Sequence, residues 1–112
     1  MRYFRVPIYN RAVVILSWNE YKKKFPRENF ENSYAQTTLF EGDVYMTFDL
    51  KKLSPGAIAH ESLHAVNFIF ESAGVDATPT HDEHQAYLLG FIYQNVYDIM
   101  YKKKGSKKCG KM

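Results

Sequence analysis

Residues 54–74 read SPGAIAHESLHAVNFIFESAG, and this stretch decides how the C-terminal half of the chain folds. Ser54 has the side chain of a helix N-cap, and Pro55 suits the first helical position because no intrahelical bond needs its missing N–H. Gly74 is the residue type that most often ends a helix in the left-handed conformation. The segment therefore predicts one long helix from residue 55 to about residue 73.

The apolar residues of this helix fall on one stripe at helical spacing. The stripe is centred on Ile58, contains Ser62, Ala65, Val66, Ile69 and Ala73, and is widened by Leu63 and Phe70. His60 and His64 lie outside it, on a polar stripe that also contains Asn67 and Glu71. Histidines that served only the core would not need this arrangement.

Residues 60–64, HESLH, match the pattern H-E-x-x-H. Residues four apart share one helical face, so both imidazoles are able to reach one ion, and zinc accepts neutral imidazole nitrogen in tetrahedral geometry. Glu61 lies about 100° around the helix from His60, which suits a general base acting on water better than a ligand of the same ion. The motif predicts a zinc site at His60 and His64, with Glu61 as the catalytic base.

A catalytic zinc ion usually has three protein ligands and one open position. Candidates for the third ligand lie in residues 81–84, HDEH, at the start of a second predicted helix that runs to about residue 104. The apolar stripe of that helix consists of Leu88, Ile92, Val96 and Ile99. Glu83 lies nearly opposite the stripe and His84 lies nearer its edge, so periodicity does not choose between them or exclude His81.

The H-E-x-x-H motif followed by a glutamate on the next helix resembles the gluzincin group of zinc metallopeptidases. Residues 82–88, DEHQAYL, are similar to a segment of small H-E-x-x-H proteins encoded in bacteriophage genomes. The resemblance implies a zinc-dependent peptidase acting on a peptide or protein substrate. It implies that His60, His64 and Glu83 bind the metal and that Glu61 is the base.

Tyr87 is a further candidate catalytic residue, because it shares a helical face with Glu83 and a phenol there would polarise a substrate carbonyl. Packing is the more ordinary role for a tyrosine. Thermolysin-like gluzincins have an aspartate at this position, and the chain has no obvious second lobe to close a substrate cleft. The alternative function is therefore a catalytically inactive zinc-containing module that binds another protein, with His84 as an additional ligand.

The remaining sequence predicts a small sheet. Residues 3–9 and 12–16 are rich in aromatic and branched side chains, which is typical of a strand pair. Ser17 is placed to cap a short helix. Residues 34–40 and 44–50 flank Glu41-Gly42-Asp43, a hairpin signal.

The resulting order, ββαββαα, predicts an α+β fold. The resemblance implies a minimal zincin-like domain, formed by residues 1–104, in which a mostly antiparallel sheet of three or four strands packs on the two long C-terminal helices. Zincin-like enzymes hold an extended peptide at an edge strand through main-chain hydrogen bonds. By that analogy, residues 44–49 are expected to be the edge strand.

Length and charge narrow the function classes. The 112 residues suffice for one domain. Six lysines lie in residues 102–112, which leaves a net charge of −3 for residues 1–101. Nucleic-acid binding is therefore expected only through this lysine-rich segment, of which residues 105–112 form a flexible basic tail. The single cysteine, Cys109, excludes an internal disulfide and indicates a cytoplasmic setting, which is the host cytoplasm if the protein is phage-encoded.

No apolar run reaches the roughly 18 residues that a membrane span needs, so no membrane contact is expected. The apolar stretch within residues 1–16 is interrupted by Asn10 and Arg11 and is interpreted as part of the fold, not as a signal peptide.

Overall fold

The computed structural model describes residues 1–29, 33–75 and 82–102. Its elements are β1 (Arg2–Val6), β2 (Arg11–Ile15), α1 (Trp18–Lys24), β3 (Ala35–Phe40), β4 (Asp43–Phe48), α2 (Pro55–Ala73) and α3 (Asp82–Tyr101). A short 3-10 turn, Leu50–Lys52, joins β4 to α2 and was not predicted. The order ββαββαα is confirmed. The proposed tail at residues 105–112 lies outside the described residues.

The four strands form one mixed sheet in the order β1-β2-β4-β3. β1 pairs antiparallel with β2, and β3 pairs antiparallel with β4, whereas β2 and β4 run parallel. The helices α2 and α3 cover one face of this sheet, and α1 covers the other. The α+β prediction, with a mostly antiparallel sheet packed on the two C-terminal helices, is confirmed.

The position of β4 corrects one expectation. Residues 44–49 were expected to form an edge strand, but β4 lies between β2 and β3. Both of its faces are covered, since Met46 and Thr47, which point to opposite faces, are each 0% exposed. In the described part of the chain β3 pairs only with β4, so β3 is the edge strand that lies beside α2.

Local capping groups define the helix ends as the sequence predicted. Ser17 Oγ accepts a hydrogen bond from the Glu20 N–H (3.1 Å), and the Glu20 carboxylate accepts one from the Ser17 N–H (2.8 Å), which completes a capping box on α1. On α2, Ser54 Oγ accepts from the Ala57 N–H at 3.0 Å. Gly74 ends α2 with a φ of 75°, a conformation that favours glycine.

The hairpin between β3 and β4 has a tighter turn than predicted. Its loop contains two residues, Glu41 and Gly42, whose φ values of 52° and 85° are both positive, as the right-handed twist of a two-residue hairpin requires. Asp43 was predicted to belong to the turn, but it joins β4 and pairs with Phe40. Its carboxylate also accepts a hydrogen bond from the Ala12 N–H at 2.9 Å, which ties β4 to β2.

The buried face of α2 is close to the predicted stripe. Its buried residues are Ala57, Ile58, Glu61, Ser62, Ala65, Val66, Ile69 and Phe70. Leu63 departs from the prediction because it is 44% exposed, and Ala73 is exposed as well. Within α3 the predicted residues Leu88, Ile92 and Val96 are buried, and Ile99 is half-buried. Glu61 is therefore the unexpected member of the buried face.

No helix in residues 1–29, 33–75 or 82–102 combines the length and apolar character that crossing a bilayer would require.

Tyr21 links α1 to the sheet and leads to a prediction about pH. Its side chain is 0% exposed, and its hydroxyl bonds Thr38 Oγ1, which in turn donates to the Glu28 carboxylate at 3.0 Å. Burial is the main cause that raises the pKa of Tyr21 above its usual range, and the carboxylates of Glu28 and Glu61 raise it further against the opposing effect of the Thr38 hydrogen bond. The neutral phenol is therefore favoured in the folded state.

The pKa of Tyr21 is higher in the folded chain than in the unfolded chain, where it is about 10. The contribution of the neutral phenol to folding stability is therefore complete below about pH 10 and is lost as pH rises through the folded pKa. Tyr21→Phe should reduce the alkaline loss of stability above about pH 10 and cost about 1 kcal/mol at pH 7 through the lost hydrogen bond. Urea unfolding of both chains at several pH values measures this effect. Identical alkaline slopes would contradict it.

Candidate metal and catalytic site

His60 and His64 lie one turn apart on the exposed side of α2. Their Nε2 atoms are 3.2 Å apart, and their ring centroids are 4.9 Å apart with the planes inclined at 74°. Two imidazole nitrogens that each bind one tetrahedral zinc ion at about 2.0–2.1 Å lie about 3.3–3.4 Å apart. The pair thus fits a shared zinc ion with little rearrangement. In the metal-free chain the same distance suits a hydrogen bond in which one ring N–H donates to the other ring.

Tyr34 lies beside the histidine pair. Its ring centroid is 6.5 Å from that of His60, in an edge-on arrangement, and its side chain is 40% exposed. The backbone carbonyl of Tyr34 accepts a hydrogen bond from the Asp49 N–H at 2.8 Å, which fixes the chain just before β3. The beginning of the edge strand therefore forms one side of the site. The sequence did not single out Tyr34, because no local pattern connects it to α2.

Glu61 projects from α2 towards the sheet and is only 5% exposed. Its Oε1 atom accepts a hydrogen bond from Thr37 Oγ1 at 2.5 Å. Thr37 faces α2 because side chains alternate along β3, as the buried Ala35 two residues earlier shows. A carboxylate without such a partner would be costly to bury. The proposed base is thus held between the helix and the edge strand, while the proposed ligands face solvent.

The candidates for the third ligand are not grouped with the histidine pair in the described residues. Glu83 is exposed on the first turn of α3, and His81 lies outside the described residues. In the described ranges, no group of three or more His, Cys, Asp or Glu side chains could hold a metal ion, so Glu83 does not join the histidine pair there. The first turn of α3 nevertheless contacts the polar stripe of α2, since Gln85 Nε2 donates to Asn67 Oδ1 at 3.5 Å.

Tyr87 and His84 line a separate surface, a groove between α3 and the turn that joins β1 to β2. The groove has a volume of about 270 Å³, and its other lining residues are Val6, Pro7, Ile8, Tyr9, Leu88 and Phe91. Tyr87 is 74% exposed. It lies about 200° around α3 from Gln85, the residue that contacts α2. A catalytic role for Tyr87 stays a prediction.

Comparison with known proteins found no matching family model, no matching curated protein and no matching solved structure. The resemblance to gluzincins therefore depends on residues 60–64 and Glu83 alone.

Proposed function

We propose that this protein is a zinc-dependent hydrolase of peptide bonds, in which His60 and His64 bind the metal and Glu61 is the general base. The observation that carries the proposal is the 3.2 Å separation of the two Nε2 atoms on adjacent turns of α2. Glu83 is the proposed third ligand, supported by the contact between the first turn of α3 and α2 and by the resemblance to gluzincins. His84 and His81 are its alternatives.

Bound zinc supplies Lewis acidity and lowers the pKa of water towards about 7. Glu61 is proposed to accept the proton of the attacking water and to donate it to the leaving amine. The hydrogen bond from Thr37 engages Oε1 and leaves Oε2 for this proton transfer. Burial of Glu61 against β3 shields the carboxylate from bulk water, which favours a fixed orientation.

We infer that an extended peptide or protein segment binds along β3. An edge strand presents unpaired main-chain groups that hold a further strand by hydrogen bonds. The inference is supported by the single neighbour of β3 in the described residues and by the contacts of this strand and its first flanking residue with Glu61 and His60. We therefore propose β3, and not residues 44–49, as the edge strand that binds substrate.

The test of the proposed function compares the wild type with Glu61→Gln and His60→Ala. Glu61→Gln should retain one zinc ion per chain but lose at least about 100-fold in hydrolysis, because glutamine keeps the shape and accepts the Thr37 hydrogen bond but does not accept the proton. Zinc is measured by elemental analysis, and hydrolysis by cleavage of a mixed-sequence library of quenched fluorescent peptides. Glu71→Gln, an exposed substitution on the same helix, is the matched control.

Two outcomes would contradict the proposal. Bound zinc without hydrolysis in the wild type would favour the alternative function, a zinc-containing module that binds another protein. Absence of zinc from both the wild type and His60→Ala would contradict the proposed metal site itself.

A further inference from the structure

We propose that Thr37 is a positioning residue, whose hydroxyl holds the Glu61 carboxylate in the orientation that a general base requires. This inference rests on the proposed function and adds to it a residue of the edge strand. It links the surface proposed to bind substrate to the group proposed to transfer the proton.

The contact is direct and comes from a residue paired within the sheet. Thr37 Oγ1 donates to Glu61 Oε1 at 2.5 Å, and an ionised carboxylate accepts hydrogen bonds only, so the hydroxyl proton is directed at it. The Thr37 backbone is fixed by its antiparallel partner Met46, which is 0% exposed. A β-branched side chain also has few accessible χ1 rotamers.

The next residue of β3 is held from the opposite face of the sheet. Thr38 Oγ1 bonds the buried hydroxyl of Tyr21 and donates to the Glu28 carboxylate. The strand is therefore tied to α2 at residue 37 and to α1 at residue 38. This double attachment limits sliding or rotation of β3 where Glu61 contacts it.

Burying a carboxylate at this place is costly, and the hydrogen bond from Thr37 offsets part of that cost. Position 61 belongs to the buried face of α2, where apolar side chains at positions 61 and 37 would satisfy packing without desolvating a carboxylate. The pair instead retains a proton-accepting group one residue after His60 in the sequence, with one of its oxygens restrained by Thr37.

The experiment uses full-length Thr37→Val, which keeps the shape and removes the hydroxyl, and Thr37→Ser, which keeps the hydroxyl. The substrate is the quenched fluorescent peptide that the wild type cleaves fastest. Thr37→Val should lower kcat by about 10- to 100-fold with KM and zinc affinity unchanged, because misplacement of a catalytic group costs up to this much. Thr37→Ser should stay within about threefold of the wild type. In the double variant Thr37→Val/Glu61→Gln, kcat should be no lower than in Glu61→Gln alone.

A second readout does not depend on activity. In the metal-free chain labelled with ¹³C at glutamate Cδ, the signal that disappears in Glu61→Gln belongs to Glu61. Thr37→Val should shift this signal, and Thr37→Ser should leave it near its wild-type position. Thr37→Ala, which leaves space beside the carboxylate, replaces the valine variant if that chain does not fold.

A hydroxyl-deficient variant with wild-type kcat would overturn the inference while the proposed function stands. A loss seen only in KM or zinc affinity, an equal loss in Thr37→Ser, or an unshifted Glu61 signal would overturn it as well. A wild type that cleaves no peptide would instead remove the proposed function, and this inference with it.

Discussion

Replacing His64 by alanine is expected to lower the affinity of the chain for zinc by more than about 100-fold. Loss of a partner outside the ligand shell already costs about 10- to 100-fold in typical zinc sites, and loss of a ligand removes a metal–nitrogen bond directly. His60→Ala should have an effect of similar size, because the two Nε2 atoms, 3.2 Å apart, are proposed to share the ion. Competition against a chromogenic chelator at neutral pH measures both affinities.

The matched control is Glu71→Ala, which changes an exposed polar side chain two turns beyond His64 on the same helix. Its zinc affinity should equal that of the wild type. Equal losses of zinc affinity in His64→Ala and Glu71→Ala would mean that these substitutions act through the stability of α2 and not through metal binding. Unfolding of each metal-free variant, followed by circular dichroism, separates these two explanations.

The same titration assigns the third ligand. If Glu83 binds the metal, Glu83→Gln should weaken zinc binding while His84→Ala leaves it near the wild-type value. The reverse result would assign His84 and would require the first turn of α3 to rotate, because His84 lines the groove on the side of residues 6–9. Either result is compatible with His60 and His64 as the first two ligands.

Phe70→Ala is expected to cause the largest loss of stability, about 3–5 kcal/mol in the free energy of unfolding. Phe70 is 1% exposed, and its ring centroid lies 5.8 Å from that of Tyr9 in the turn after β1. Removing the ring leaves a cavity where α2 meets the sheet. Because domains of this size are stable by only about 5–15 kcal/mol, the variant should unfold at a much lower urea concentration.

Leu63→Ala is the control on the same helix. Leu63 is 44% exposed although the helical pattern placed it beside the apolar stripe, so its truncation should cost less than about 1 kcal/mol. Urea unfolding followed by circular dichroism compares the two variants. Similar losses for Leu63→Ala and Phe70→Ala would mean that the side chain at position 63 is covered in solution.

Local signals in the sequence were sufficient for both ends of α2, for the start of α1 and for the existence of the hairpin, although not for the length of its turn. Ser54 and Gly74 predicted both ends of α2, and the Ser17 cap predicted the start of α1. The spacing of His60 and His64 was sufficient to place both imidazoles together, because residues four apart on a helix are always neighbours. These features depend on hydrogen bonds and contacts within a few residues, and their patterns are therefore visible in the order of the amino acids.

The central position of β4 in the sheet was not predicted by such local patterns. Val44, Met46 and Phe48 alternate along the strand and belong to one buried core, but an alternating pattern does not show how many neighbours a strand has. The parallel pairing of β4 with β2 joins segments separated by α1 and β3. That pairing is favoured because it buries both faces of β4, an energy that depends on the whole assembled sheet.

The sequence by itself determined both ends of α2, the start of α1, the order of elements and the histidine pair, because short-range hydrogen bonds and helical spacing are sufficient for each. Only the tertiary structure decided that β3 is the edge strand beside α2, that Leu63 is exposed and that Glu61 is buried against Thr37. Each of these outcomes depends on which surfaces cover one another after the chain has folded. Residues 37 and 61 meet because packing α2 on the sheet removes apolar surface from water, and no pattern within either segment encodes that contact.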